Sequence, residues 1–548
     1  MTALISAARE WVEQDPDDET RDELNTLIDL AESGSASALT DLTDRFHTRL
    51  EFGTAGLRGA LGAGPNRMNR VLVAQAAAGL AAFLTSREES PSVVIGYDGR
   101  KNSRIFATDK AEIMTAAGVR ATLLPRLMPT PVLAFAVRFL GASAGVMVTA
   151  SHNPTADNGY KVYLGGEDDG SQIVPPSDGQ IAARILEVAR GSVKDLPRSS
   201  EFRVAGEDVQ QAYVAQTAQI GSASAQLRVV YTAMHGVGWE TARAVFLAAG
   251  FDEPDVVPEQ LQPDPDFPTV AFPNPEEPGA LDLAFARAEA VNAELVIAND
   301  PDADRLAVGV RDASGWRRMS GNEIGLILGA RAAERSSSGT LACSIVSSPG
   351  LATIANASGL EHVETLTGFK WISRAPDLAF GFEEALGYLV DPHILRDKDG
   401  ISAALDLLTL ASELKTGGKT LADHVEDLAE RFGAFASSQI SLRFTDLPQI
   451  PRVMNELRAQ LPASIGGVSV DRIDDFANGF GEFPPNDILR IWLRDGSRIV
   501  VRPSGTEPKL KVYVDASSTV GSARERMAAA DATIATLDAG MRDLLARP

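Results

Sequence analysis

Cysteine is almost absent from this chain: its 548 residues contain one, Cys343, set in an apolar run. A disulfide framework is therefore excluded, and the side chain reads as a small buried hydrophobe in a reducing compartment. Positive charge is scarce too, with 51 Lys and Arg against 74 Asp and Glu and a formal net charge of −23. Such a surface has no electrostatic footprint for nucleic acid or anionic lipid, so an anionic substrate must be met by a local cationic cluster. Long apolar runs are missing as well. None approaches membrane-spanning length, and Met1-Thr2-Ala3-Leu4-Ile5 ahead of many acids lacks the basic-then-apolar start of an export signal. The chain reads as cytoplasmic, without membrane or nucleic-acid partners.

What is present is the composition of a soluble globular protein, 44% hydrophobic and 23% charged, with length for roughly three or four domains. Residues 1–50 place Leu24, Leu27, Ile28 and Leu30 at helical spacing among acids, predicting an amphipathic arm on the first domain. From 91 to 165, apolar strands at 92–95, 121–124 and 145–148 alternate with helices at 103–117 and 131–140, the pattern of a βαβ sheet. A short strand over 158–163 is placed to hold Lys161 near the end of 145–148. Gly, Pro, Ser and Asp over 165–205 mark the exit from this domain. A second unit follows, with strands at 227–231, 295–298 and 306–310, a helix at 240–249, and a Pro-rich surface excursion over 252–279. A third α/β unit starts near Ser320, with helices at 322–332 and 401–414 and a strand at 341–346. The last, from about 436, is richer in strands (438–442, 489–493, 498–501) and closes with a helix over 522–545. The reading is α/β: three similar domains with mixed sheets, at 1–205, 206–319 and 320–435, and a smaller α+β domain at 436–548.

The stretch that organises the chemistry is Val148-Thr149-Ala150-Ser151-His152-Asn153-Pro154. Gly145-Val146-Met147-Val148 ends abruptly in small polar residues, which puts Ser151 on a loop beyond a strand's carboxyl end, where open α/β sheets keep their sites. Asn153-Pro154 stiffens the bend and bars a helix from starting at once. The bland alternative is an ordinary surface turn. Gly141-Ala142-Ser143-Ala144-Gly145 matches a hydrolase elbow, but helix and strand come in the wrong order around it.

Four other loops carry chemistry. Glu51-Phe52-Gly53-Thr54-Ala55-Gly56-Leu57-Arg58-Gly59 offers backbone amides and the Arg58 fork to a phosphate. Asn299-Asp300-Pro301-Asp302-Ala303-Asp304-Arg305 aims three carboxylates at one spot, a geometry suited to Mg²⁺. A calcium loop would need glycine where Arg305 stands and glutamate where Arg311 stands, so that reading fails. Thr365-Leu366-Thr367-Gly368 and Gly381-Phe382-Glu383-Glu384-Ala385-Leu386-Gly387-Tyr388 read as turns or a sugar clamp. Arg502-Pro503-Ser504-Gly505-Thr506-Glu507-Pro508-Lys509, between two strands, forms a phosphate cradle or a plain hairpin loop. Gly418-Lys419-Thr420 is no nucleotide loop, because the glycine needed five positions earlier is Glu413.

Taken in this order, the loops after residue 50 resemble those of the α-D-phosphohexomutase superfamily, the phosphoglucomutases and phosphomannomutases. The resemblance implies four domains around a central cleft and a phosphosugar mutase that works through a phosphoserine enzyme and a bisphosphorylated intermediate. It implies a phosphoryl group on Ser151, with Mg²⁺ held by Asp300, Asp302, Asp304 and a phosphoserine oxygen. Arg58, Lys161 and Arg305 would surround the transferring group. Arg502, Ser504, Gly505 and Thr506 would grip the substrate's standing phosphate, while Glu383, with Glu384, Thr367 and Gly368 nearby, would bind sugar hydroxyls. His152 and Lys398 are the candidate general bases. Glucose 1,6-bisphosphate would act as activator, and the protein would be a monomer or homodimer.

Two departures bear on the sugar. Glu383-Glu384-Ala385 lacks the serine that many relatives carry two positions after the glutamate, and Tyr388 stands where bacterial phosphomannomutase/phosphoglucomutases place histidine. With Gly53-Thr54-Ala55-Gly56, they resemble the branch of longer phosphoglucomutases and phosphopentomutases. Glucose 1-phosphate/glucose 6-phosphate exchange is thus the leading expectation, with a phosphopentomutase (ribose or deoxyribose phosphates) next and a phosphomannomutase third. The alternative from another class is a non-catalytic phosphosugar-binding regulator.

Overall fold

The computed structural model describes residues 2–54, 56–444, 449–460, 462–504 and 509–545. Residues 1–319 with 387–412 form one compact unit, and residues 320–386 with 413–548 form another.

In the first unit one sheet has seven strands, ordered Leu57–Ala60, Asp157–Leu164, Ala144–Val148, Ser92–Tyr97, Arg120–Leu123 and Arg203–Val204, with Ser171–Gln172 on the side of Asp157–Leu164. Ala144–Val148, Ser92–Tyr97, Arg120–Leu123 and Arg203–Val204 run parallel, and Asp157–Leu164 and Leu57–Ala60 turn antiparallel at the edge. Every residue of Ala144–Val148 is buried, as its unbroken apolar run requires of a strand covered on both faces. The helix Arg70–Arg87 is absent from the sequence-based reading because it has no polar face. Its run of Val, Leu and Ala is buried nearly all round, so no helical period shows. Gly79 lets it meet the helix Ser177–Val188 closely, since a Cβ there would stand 2.5 Å from Ile185. The N-terminal arm is three helices, Thr2–Gln14, Asp18–Glu32 and Ala36–His47, whose Trp11, Leu24, Ile28 and Leu42 join the core of this sheet. Leu30 faces out.

The second sheet of this unit is ordered Gly315–Arg318, Leu306–Asp312, Leu295–Asn299, Val229–Thr232 and Asp255–Val256, the last three parallel. The stretch 252–279 is less superficial than expected: Val257, Gln260, Phe267 and Val270 are buried. Its polar anchor is Gln260, which receives the Thr232 hydroxyl at 2.6 Å and donates to Thr269 at 2.9 Å.

In the second unit Glu361–Thr365, Thr340–Ser344 and Leu378–Glu383 lie parallel. Beside them is a six-stranded antiparallel sheet from Ala434–Arg443 to Ser464–Ile465, backed by the helix Ala523–Leu545. Arg498, fully buried, bonds Asp515 at 2.7 Å, Glu364 at 3.1 Å and the Ser347 carbonyl at 2.5 Å, tying that sheet to the parallel strands.

Candidate active site

Ser151 follows the buried strand Ala144–Val148 in a bend with φ of 52°, left-handed backbone that a β-carbon disfavours. The bend is closed locally. Thr149 Oγ1 accepts from the Ser151 amide at 2.8 Å, and Ala150 O accepts from the Asn153 amide at 3.0 Å. The Ser151 hydroxyl donates to Asp300 Oδ2 at 2.8 Å and lies 3.3 Å from His152 Nδ1.

Asp300 sits where the strand Leu295–Asn299 ends, and the loop returns at Leu306. Ala303 has φ of 57°, and Asn299 closes the loop by donating to the Arg305 carbonyl at 2.7 Å. Asp300, Asp302 and Asp304 are fully buried and offer one oxygen each within 4.8 Å of one another. Thr130, at the start of the helix Thr130–Phe139, donates its hydroxyl to Asp302 Oδ2 at 2.5 Å, and its amide donates to the Asp302 carbonyl at 2.9 Å. Lys161 Nζ donates to Asp302 Oδ2 at 2.7 Å and also to Asp304 Oδ2. Lys398 Nζ reaches Asp304 Oδ2 at 3.1 Å. Asp302 Oδ1 and Asp304 Oδ1 are buried and accept no hydrogen bond among the described residues. Three converging carboxylates with two unbonded buried oxygens fit a hard divalent cation, which is bound through oxygen.

Charge is balanced tightly here. Burial raises the Asp300 and Asp302 carboxyls, and the Asp304 charge adds to it. Burial opposes ionisation of Asp304 as well, but Lys161, Lys398 and Arg305 outweigh it and hold that carboxyl below its usual range. Lys161 is the counterpart: burial would lower it, yet Asp302 and Asp304 hold it above an ordinary amine. His152 is pushed well below its usual value by burial, then by Arg305 and Arg58, so its imidazole is neutral.

Arg58, on the edge strand Leu57–Ala60, donates to Asn153 Oδ1 at 3.0 Å, so the glycine loop and the serine loop meet. Gly56 makes the approach possible, because a Cβ there would stand 1.9 Å from Tyr160 O. The structure therefore brings together Ser151, His152, Arg58, Lys161, Lys398, Arg305 and the three aspartates. Sequence reading does not single out Thr130 and Asp397, nor Arg100, which donates to the Ser151 carbonyl at 2.7 Å. Asp397 accepts from Tyr163 OH and Gln172 Nε2, both at 2.7 Å, and lies 3.7 Å from Lys398 Nζ. Only Pro129-Thr130-Pro131, a helix start, carried a local signal for any of these.

In the second unit, Glu383 Oε1 accepts from the Gly368 amide at 2.6 Å, with Gly368 at φ of 115°. Glu384 turns aside and accepts from Ser344 at 3.2 Å and Ser347 at 3.0 Å. Thr367 lies in the same half-buried bend as Gly368. Arg502 is the penultimate residue of the strand Arg498–Pro503, and the Ser504 amide donates to Lys509 O at 2.7 Å. Gly505 and Thr506 lie outside the described residues.

A buried serine hydroxyl beside three converging carboxylates, with Arg58, Lys161, Arg305 and Lys398 around them on an α/β scaffold, is an arrangement suited to phosphoryl transfer. The chain matches all four domains of the phosphoglucomutase/phosphomannomutase family: α/β/α domain I over residues 49–191, II over 211–315, III over 320–432 and the C-terminal domain over 443–532. It belongs to that family and is a phosphosugar mutase, an intramolecular phosphotransferase of the α-D-phosphohexomutase superfamily. It is 53% identical to a "Probable phosphomannomutase" of Haemophilus influenzae, across 87% of this chain and 98% of the relative. It is 35% identical to a phosphoglucomutase of Staphylococcus epidermidis, over 86% and 91%, and 34% to the human phosphopentomutase, over 95% and 92%. Among solved structures, a phosphoglucomutase/phosphomannomutase family protein of Burkholderia thailandensis shares the fold with a TM-score of 0.70 at 21% identity, covering 91% of this chain and 97% of that one. Among the described residues no helix is long and apolar enough to cross a membrane.

Proposed function

We propose that Ser151 carries the phosphoryl group, and that the enzyme interconverts glucose 1-phosphate and glucose 6-phosphate through glucose 1,6-bisphosphate. The observation that carries this reading is the Ser151 hydroxyl held 2.8 Å from Asp300 in a loop whose backbone disfavours serine. In the first half-reaction the Ser151 O–P bond breaks as a bond from phosphorus to a free sugar hydroxyl forms. The hydroxyl proton ends on Ser151 Oγ. On return the Ser151 O–P bond forms as the sugar O–P bond breaks, and the serine proton ends on the freed sugar oxygen, with His152, 3.3 Å from the hydroxyl, placed to relay it. Arg58, Lys161 and Arg305 hold charge spread over the phosphoryl oxygens. Mg²⁺, held by Asp300, Asp302, Asp304 and a phosphoserine oxygen, would offset the negative charge of three carboxylates and a phosphate at one point. Lys398, 3.1 Å from Asp304 and 3.7 Å from Asp397, is the second candidate base. In the second unit Glu383, with Thr367 and Gly368, takes sugar hydroxyls, while Arg502, Ser504, Gly505 and Thr506 take the standing phosphate, as the family resemblance implies. The one cysteine, buried and unpaired, agrees with a cytoplasmic protein.

A phosphopentose is the second reading. It is favoured by Glu384 bonding its own serines and by Ala385, which offers no hydroxyl, at the place where hexose selectivity is expected. Rates on glucose, mannose and ribose 1-phosphates separate the readings: glucose is expected to give the highest kcat/KM, and a faster ribose 1-phosphate would overturn it. Intact mass tests the carrier. Wild-type protein is expected to bear one phosphate that Ser151→Ala lacks, together with all mutase activity; a fully active Ser151→Ala would remove Ser151 from the mechanism.

A further inference from the structure

The backbone of the serine loop is gripped by a single buried guanidinium. Arg100 Nη2 donates to the carbonyls of Ser151 at 2.7 Å and Asn153 at 2.6 Å, and Nη1 to those of Pro154 at 2.9 Å and Asp157 at 3.1 Å. Four carbonyls of one bend thus converge on one planar fork, which a point-charge ammonium cannot reproduce. Arg100 is fixed at its own root, since its amide donates to Asp98 Oδ1 at 3.0 Å, and Ser103 donates to the same oxygen at 2.6 Å. The bend needs such a grip. A serine at φ of 52° persists only where its surroundings over-determine it.

The guanidinium also lies over the ring of Phe267, 4.9 Å from its centroid. Phe267 comes from the stretch 252–279 and touches His235 edge-on at 6.4 Å, and His235 bonds Thr269 at 2.8 Å. The turn after His235 is pressed onto the aspartate loop: Val237 N donates to Pro301 O at 2.9 Å, and a Cβ on Gly236 would stand 2.3 Å from that oxygen. A continuous chain of contacts therefore runs from the serine loop through Arg100, Phe267 and His235 to the aspartate loop.

We propose that Arg100 is the positioning residue that sets the Ser151 hydroxyl against Asp300, with Phe267 as the platform that orients its guanidinium. This rests on Ser151 as phosphoryl carrier. Displacing a nucleophile by about 1 Å costs on the order of 10²-fold in rate.

The test compares Arg100→Lys and Phe267→Leu with wild-type full-length protein by steady-state kinetics, thermal unfolding and amide hydrogen exchange. Arg100→Lys is expected to lower kcat about 10²-fold, with KM within about threefold, and Phe267→Leu to lower it about fivefold. Both are expected to speed exchange of the peptide 149–157 while the peptide 92–97 stays protected. Wild-type kcat in both variants overturns the proposal, as does a loss of kcat with unchanged exchange at 149–157. Should Arg100→Lys fail to fold, wild-type kcat in Phe267→Leu overturns it too. An active Ser151→Ala would refute the carrier assignment instead, so the two failures are distinguishable.

Discussion

Ser151 donates its hydroxyl to Asp300 at 2.8 Å although the two residues stand 149 positions apart. Each follows the carboxyl end of a buried parallel strand, Ala144–Val148 and Leu295–Asn299, in a different sheet. Such strand ends are where α/β sheets present reactive groups. The aspartate loop is held further by Thr130, at the start of the helix Thr130–Phe139, and by Lys161, on the strand Asp157–Leu164, both bonded to Asp302.

Thr130→Val keeps the shape of the side chain and deletes the donor to Asp302 Oδ2. Removing a partner that orients a ligating group costs about 10–100-fold in metal affinity or activity. The variant is expected to need more Mg²⁺ for half-maximal rate, with the glucose 1-phosphate KM little changed. A Mg²⁺ titration of initial rate identical to wild type would refute the role.

Gly56→Ala puts a methyl group 1.9 Å from Tyr160 O at a backbone φ of 77°. The edge strand Leu57–Ala60 must shift, and Arg58 with it. Turnover is expected to fall at least about tenfold and stability by about 2 kcal/mol. Kinetics with a denaturant melt measure both, and a neutral substitution would show that the close approach is dispensable.

Lys110 gives a prediction about pH. Its amine is wholly buried without a hydrogen bond among the described residues, 3.9 Å from the Tyr160 ring centroid, and burial lowers it to about 7. Unfolded, it titrates near 10.5. Between these values the native state binds fewer protons than the unfolded one, so this group makes stability rise with pH. Lys110→Met is expected to stabilise the protein by about 2–4 kcal/mol at pH 7 and to flatten that rise. Denaturant melts at pH 7 and 9.5 decide it; a destabilised variant would mean that the contact with Tyr160 outweighs the cost of burial.

Arg498→Met strips a buried carboxylate of its partner. Among the described residues Asp515 keeps the Ser437 hydroxyl at 2.8 Å, and Glu364 keeps Arg490 at 2.9 Å. Breaking such a pair costs about 3–5 kcal/mol. Proteolysis is expected to speed up within residues 434–518 while the 92–164 sheet stays resistant, and equal resistance throughout would refute the assignment.

By itself the sequence determined the chemistry along each loop. Alternating apolar runs located the strands Ser92–Tyr97, Ala144–Val148 and Leu295–Asn299 because burial on both faces leaves no polar position in them. Loops built from glycine, proline and short polar side chains carried Ser151 and the three aspartates openly, since phosphate and metal chemistry admits few residue types. Tertiary structure alone decided what faces those residues. Arg100, Thr130 and Asp397 lie on neighbouring elements, and their roles depend on which carbonyl or carboxylate the fold delivers to them, which no local pattern records. The same holds for Arg70–Arg87: a helix buried all round has no periodicity to betray it, and only its packing shows why it is there.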